Sequence, residues 1–309
     1  MNEVCSQDIK KPEPLSVRDP GVRPSYALHS LVVNSTLTPV AQNLHKICTA
    51  HPVGCQRIEI AADSANLPLP VRFATIRCSM KRLLLFDIDG TLTRSHNGHV
   101  PFNQAILETF GVPGDIRLVI PDGNTDPMIV TEIFSKGNIL IQDIDDKWQQ
   151  FSSNLRRCYS NAISSGSTTV RALPGAAELL QTIAASGIFG SSVVSGNLEP
   201  MARVKLEAAG LYSYFCRGAY GSDSPRRADL PAIAKRRCEA AFGVSIPLSE
   251  CIVVGDTPRD FEAARCNHMK CTLVATGRYS LEELLNCQPE LCLPDLTDTA
   301  AVLKTLLNL

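Results

Sequence analysis

The sequence predicts an α/β chain built on a doubly wound parallel sheet, with an all-helical cap inserted after the first strand. Three observations carry this. Short runs that are apolar at nearly every position alternate with helical segments from Met80 onward. Acidic residues and a serine close those runs, and the strand ends of a parallel sheet share one edge. The alternation stops between residues 95 and 171, where only helical patterns occur.

Residues 1–79 hold eight of the chain's 20 prolines, in clusters such as KPEPLSVRDP and NLPLPVR, and show no sustained period. This stretch reads as disordered or loosely attached. Met80 stands directly before the first strand, so a start at Met80, with the stretch before it an artefact of start-site assignment, is the alternative. RLLLFD (82–87) is the first strand, apolar as expected for one covered on both faces. The core then comprises 80–94 and 172–309, and the cap 95–171. Within the cap PFNQAILETFG, TDPMIVTEIFSKG and IDDKWQQFSSNLRRCYSNAI read as helices, with no strand evident and Trp148 in their core. Placed there, the insertion covers the carboxyl ends of the strands as a lid.

A helix from about Pro174 to Ser186 opens with proline and stops at Gly187. IFGSSVVS gives a second strand ending on Ser195, followed by a helix from about Leu198 to Ala209 closed by Gly210. CIVVGD (251–256) is a further strand, PRDFEAARC a helix, and CTLVAT the last strand.

With a formal net charge of −1 and 44% hydrophobic residues, the chain reads as a soluble globular protein without the basic face that nucleic-acid binding needs. No apolar run is long enough to cross a bilayer, and MNEVCSQDIKK lacks a secretory hydrophobic segment, so the expected location is cytoplasmic, away from membranes. The 12 cysteines form no C-x-x-C. Pairs such as Cys266 with Cys271 and Cys287 with Cys292 lack a histidine-rich context, so buried free thiols are expected rather than zinc sites or disulfides. Oligomeric state leaves no trace in the sequence.

KRLLLFDIDGTLT (81–93) sets Asp87 and Asp89 one residue apart at a strand end. Like charges so close raise each other's pKa unless a cation intervenes. In a parallel sheet Asp87, Asp89, Ser195 and Asp256 converge on one edge, and three acidic side chains there call for a cation. Hard oxygen donors suit Mg²⁺, which also contacts substrate phosphate.

These residues carry a resemblance. DIDGT (87–91) matches the D-x-D-x-T of the haloacid dehalogenase superfamily, Ser195 in VVSGN is similar to its second motif, and GDTPRD (255–260) resembles the fourth. GNTDPMIV, SGNLEPMARVKLEAAGL and ATGRYSLEEL resemble a phosphoglycolate-phosphatase-like branch with a helical cap. The likeness runs from about Met80 to the C-terminus.

The resemblance implies a Mg²⁺-dependent phosphomonoesterase acting on a small phosphorylated metabolite, with phosphoglycolate as the named candidate. Asp87 would attack phosphorus to give an aspartyl-phosphate. Asp89 would protonate the leaving oxygen and then activate water. The metal set would be Asp87, Asp89, Asp256 and Asp260, with Asp260 orienting Asp256 or the metal waters; the plainer alternative for Asp260 is to face solvent on the first helical turn. Turn chemistry alone is the plainer reading of Asp89 and Asp256. Ser195, with the N–H groups of Gly196 and Asn197, would hold phosphoryl oxygens, or cap the next helix.

Thr91 belongs with the substrate-binding group. Thr125 and Asp126 either reach the substrate or cap a cap-domain helix. The third motif usually supplies a lysine, but the chain reads GSDSPRRADL there. Arg227 is the first choice for its cation, Arg226 the second, and Lys205 the alternative; an arginine fork suits a phosphate. His96 and His99 read as ordinary polar loop residues. A phosphomutase on the same residues, or a catalytically idle binding protein, are the competing functions. The acid/base carboxylate Asp89 disfavours dehalogenation.

Overall fold

The computed structural model describes residues 80–139 and 144–309, so the expectation for 1–79 lies outside the described residues. In β1 (Arg82–Phe86), Leu83, Leu84, Leu85 and Phe86 have no solvent exposure. A strand so placed must be apolar throughout because helices cover both faces. The chain continues through β2 (Thr93–His96) into the cap helices α1 (His99–Phe110), α2 (Asp126–Lys136) and α3 (Trp148–Ser164), and returns through β3 (Thr169–Ala172). There follow α4 (Ala176–Ser186), β4 (Phe189–Ser195), α5 (Glu199–Ala208), β5 (Ala219–Tyr220) and α6 (Leu230–Phe242). The last elements are β6 (Cys251–Gly255), α7 (Pro258–Cys266), β7 (Lys270–Val274), α8 (Leu281–Leu285), β8 (Leu291–Leu293) and α9 (Thr299–Asn308).

Six strands form one parallel sheet in the order β5-β4-β1-β6-β7-β8. Side chains of β1 alternate between two layers. Leu84 and Phe86 pack with Leu179, Ile183 and Leu206, whereas Leu83 and Leu85 pack with Leu230, Ala234 and Ala264. Phe86 pairs with Val193 on one side and Val254 on the other, so the chain leaves β1, β4 and β6 at one edge.

The cap has its own core of Phe102, Ile106, Phe110, Ile133, Phe151 and Leu155. Trp148 is partly buried against it, edge-on to Phe110 and Phe151. The expectation of no strand between Arg94 and Arg171 fails at both ends of the insertion. β2 and β3 pair antiparallel, from Thr93 with Ala172 to His96 with Thr169, and form a two-stranded connection between core and cap. Both are four residues long and largely polar, too short for an alternating pattern to stand out. CTLVAT is not the last strand either: β7 ends at Val274 and β8 follows at the sheet edge, half-buried.

Among the described cysteines Cys158, Cys238, Cys251 and Cys271 are buried free thiols. Cys266 is exposed on α7, and Cys216, Cys287 and Cys292 are half-buried, which corrects the expectation for those four. No helix among the described residues is long and apolar enough to cross a membrane.

Candidate active site

The loop after β1 folds back on itself. Asp87 N–H donates to Val254 O at 2.9 Å, and Thr93 N–H returns to Ile88 O at 2.8 Å. Between them Gly90 adopts φ +82°, and a Cβ there would lie 2.3 Å from Asp256 Oδ2. Glycine is therefore needed for both conformation and space. Thr91, expected among the substrate-binding residues, is fully buried, and its hydroxyl donates to Asp256 Oδ1 at 2.9 Å. That contact positions the carboxylate, and Thr91 does not line the cavity between cap and core.

Asp87, Asp256 and Asp260 are all buried, with carboxylate oxygens within 4.8 Å of one another. Arg227, at the start of the segment leading into α6, places Nη2 3.0 Å from Asp87 Oδ1 and also bonds Asp260 Oδ1. Asp260 lies on the first turn of α7 and is fully buried, so the solvent-facing alternative is excluded. Its Oδ2 accepts from Thr257 N–H at 3.1 Å and from the Thr257 hydroxyl at 2.8 Å, while Oδ1 accepts from Arg227 Nε at 3.2 Å and from Nη2. Four donors occupy the sites a carboxylate offers, so Asp260 caps α7 and orients Arg227.

Burial pushes the Asp87 carboxyl up to about 6; Arg227 opposes this, and Asp260 and Asp89 add to it. Burial, then Asp87 and Asp260, holds Asp256 well above the usual carboxylate range. Three buried carboxylates face a single guanidinium, and all the donors are hard oxygens. The residues fit a small divalent cation such as Mg²⁺, which Asp87 and Asp256 would hold through their carboxylates. Asp89, expected in the metal set, does not join this cluster.

Asp89 is turned toward a second cation. Its Oδ2 accepts from Lys205 Nζ at 2.6 Å and from Asn197 Nδ2 at 2.7 Å. Asn197 links the group: its Nδ2 donates to Ser195 Oγ at 2.9 Å, and its Oδ1 accepts from Lys205 at 2.8 Å. Ser195 Oγ also accepts from Asn197 N–H at 3.4 Å, the contact of a turn cap at the end of β4. Lys205 is buried on α5 with Nζ 5.7 Å from the Tyr159 ring centre. Burial pulls its pKa down, but Asp89, Tyr159 and Asp126 outweigh that and leave it raised, so it is charged.

The cap meets the core at the same place. Asp126 N–H donates to Gly196 O at 2.8 Å, and Asp126 Oδ2 accepts from Leu198 N–H at 2.8 Å. Burial pushes the Asp126 carboxyl up to about 6, opposed by Lys205 and the Leu198 N–H. A Cβ on Gly196 would lie 1.9 Å from Asn124 O, so the cap loop approaches a backbone that only glycine leaves clear. Thr125 is fully buried; its Oγ1 accepts from Met128 N–H at 3.4 Å and donates to Pro225 O at 2.8 Å. Of its two expected roles, the structure has the helix cap.

A cavity of about 350 Å³ lies between cap and core, with Asp87, Asp89, Arg227 and Lys205 lining the core side. Asp126, Ser195, Gly196 and Asn197 also line it. Arg226 stays outside, exposed, with its nearest carboxylate, Asp229, at 3.9 Å. His96 and His99 do not line the cavity. Sequence reasoning missed Tyr159, Asp122 and Arg278, which line it from α3 and two loops. Only ATGRYSLEEL, which contains Arg278, carried any signal of them.

The haloacid dehalogenase-like hydrolase family matches residues 81–268. A phosphoglycolate phosphatase from Pseudomonas fluorescens is 26% identical over 205 residues, covering 64% of this chain and 71% of that protein. Two solved structures share the fold. A hydrolase from Pseudomonas syringae has a TM-score of 0.55 at 23% identity, covering 72% of this chain and 98% of that one. CbbY from Rhodobacter sphaeroides, in complex with phosphate, has a TM-score of 0.53 at 17% identity, covering 71% and 96%. The family match spans well over half of the chain and takes in the paired aspartates after β1, the serine that ends β4 and the aspartate after β6, so this chain belongs to the haloacid dehalogenase-like hydrolases.

Proposed function

We propose that this protein is a Mg²⁺-dependent phosphatase that hydrolyses a small phosphomonoester through an aspartyl-phosphate on Asp87. The observation that carries this reading is the separation of the two motif aspartates. Asp87 is buried beside Arg227 and Asp256, whereas Asp89 lines the same cavity but is held by Lys205 and Asn197. One carboxylate is fixed for attack and the other for moving protons.

A carboxylate oxygen of Asp87 attacks phosphorus, and the bond from phosphorus to the leaving oxygen breaks as Asp89 gives that oxygen its proton. Asp89, now ionised, takes a proton from water as the water oxygen attacks the same phosphorus. Phosphate leaves and Asp87 is restored. Arg227 orients Asp87 and balances charge on the phosphoryl oxygens, and Ser195 with the N–H groups after it lies where those oxygens would sit. Mg²⁺ held by Asp87 and Asp256 would offset the repulsion between the attacking carboxylate and the phosphoryl dianion.

Phosphoglycolate is the first substrate to test, since the curated relative is named for it. The experiment is phosphate release from phosphoglycolate and a panel of small phosphomonoesters, with and without Mg²⁺. Metal-dependent release of inorganic phosphate supports the reading. Recovery of an isomerised ester without free phosphate would make the protein a phosphomutase, and no turnover of any ester would leave only a binding protein.

A further inference from the structure

Among the described residues four basic side chains line the cavity, and they fall into two pairs. Lys205 and Arg227 are buried and each is bonded to a motif aspartate. Arg94 and Arg278 are exposed and differ in what they hold. Among the described residues Arg94 bonds the carbonyl of Thr276, a neutral partner. Arg278 meets Asp122 of the cap at 3.6 Å, with 55% of its side chain exposed, and so long and solvated a contact neutralises little.

The backbone brings these two arginines to one rim. The Thr276 carbonyl takes the Arg94 guanidinium, and the Thr276 hydroxyl donates to Gly90 O at 2.6 Å. The loop carrying Arg278 is thereby tied both to β2 and to the loop that carries Asp87 and Asp89.

We propose that Arg94 and Arg278 form an anion subsite for the leaving group. The preferred substrate is then a small phosphomonoester whose leaving alcohol carries a second negative charge, as carboxylate or phosphate. This rests on the phosphatase reading above. A cavity of about 350 Å³ holds a metabolite of a few carbons between the Asp87 end and this rim. Arg278 exchanges its loose contact with Asp122 for the ligand, which gains two charge-assisted contacts that a neutral leaving group cannot make.

The test compares kcat/KM for phosphoglycolate, for a small sugar bisphosphate and for glycerol 2-phosphate, whose leaving group is neutral. The proteins are wild type, Arg94→Gln and Arg278→Gln. Wild type should favour a charged ester over glycerol 2-phosphate, and each arginine variant should lower that ratio about tenfold, the size of one charge-assisted hydrogen bond. The loss should fall mainly on KM and should shrink in high salt. Whether the carboxylate or the bisphosphate arm carries the preference identifies the anion. Hydrolysis of glycerol 2-phosphate as efficient as that of both charged esters, or a ratio that no variant moves, overturns the subsite and leaves the phosphatase standing. No hydrolysis of any ester overturns both.

Discussion

Arg227 and Lys205 hold the two motif aspartates in contrasting surroundings. Arg227 is 8% exposed at its side chain and its partners Asp87 and Asp260 are 5% and 1% exposed, so that pair is dry. Lys205 is 9% exposed, but its partner Asp89 remains 42% open. A dry carboxylate fixed by a guanidinium keeps one geometry and loses its competing water shell, which suits a nucleophile. A carboxylate held at one oxygen and wet elsewhere can exchange protons with a leaving group and then with water. The proposed mechanism uses this contrast, with attack on the Arg227 side of the cavity and proton transfer on the Lys205 side.

The sharpest way to break that assignment is Asp87→Asn, which removes the attacking charge at nearly constant volume. Turnover should fall by more than about a thousandfold with the thermal midpoint preserved, as expected for loss of a nucleophile. A folded Asp87→Asn protein with ordinary activity would move the attack elsewhere. The two cations come next. Arg227→Ala leaves Asp87 and Asp260 buried without a counter-charge and should cost about 3–5 kcal/mol of stability besides most of the activity. Lys205→Met should cost less stability, because water reaches Asp89, and its effect should appear chiefly in kcat. Urea unfolding and steady-state rates on both variants test this. Equal destabilisation by the two would erase the distinction between the dry and wet sites.

A smaller effect separates the sites by pH. The Asp87 carboxyl sits at about 6 against an ordinary 3.8, so below pH 6 the native state without metal binds more protons than the unfolded chain. This group's contribution to stability therefore falls as pH rises from about 4 to about 6. Mg²⁺ takes the ionised form and should raise the thermal midpoint little at pH 5 and clearly at pH 8. In Asp87→Asn that pH dependence should flatten, whereas Lys205→Met should retain it. A Mg²⁺ shift equal at both pH values would argue against Asp87 as a metal ligand.

What the sequence discloses follows the same divide between local pattern and assembled contact. β1 is legible because an apolar run closed by Asp87 makes sense only as a strand covered on both faces. β2 and β3 are not, because TRSH and TVRA gain their pairing from the way the cap leaves and rejoins the core. The strand-end positions of Asp87, Ser195 and Asp256 are readable from topology. The contacts that distinguish their neighbours are not. Asp260 is filled by Thr257 and Arg227, Thr91 by Asp256, and Asp89 by Lys205, each choice fixed by which donor folding brings within reach. Tyr159 and Asp122 enter the site only because the cap docks over it.

That docking gives the mildest prediction. Thr125 caps α2 and its hydroxyl crosses to Pro225 O, joining cap to core on the periphery of both cation sites. Thr125→Ala removes one cap and one buried bond, so it should lower stability by about 1–2 kcal/mol. Thr125→Ser keeps the hydroxyl and should recover most of that. If Thr125 serves docking alone, kcat/KM should change little at temperatures where the variant is folded, and the Ser and Ala variants should differ in melting more than in turnover. A fall in kcat/KM at an unchanged thermal midpoint would instead place the hydroxyl on the substrate. The cap loop would then belong to the chemistry of the Asp89 side, which the geometry at Pro225 argues against.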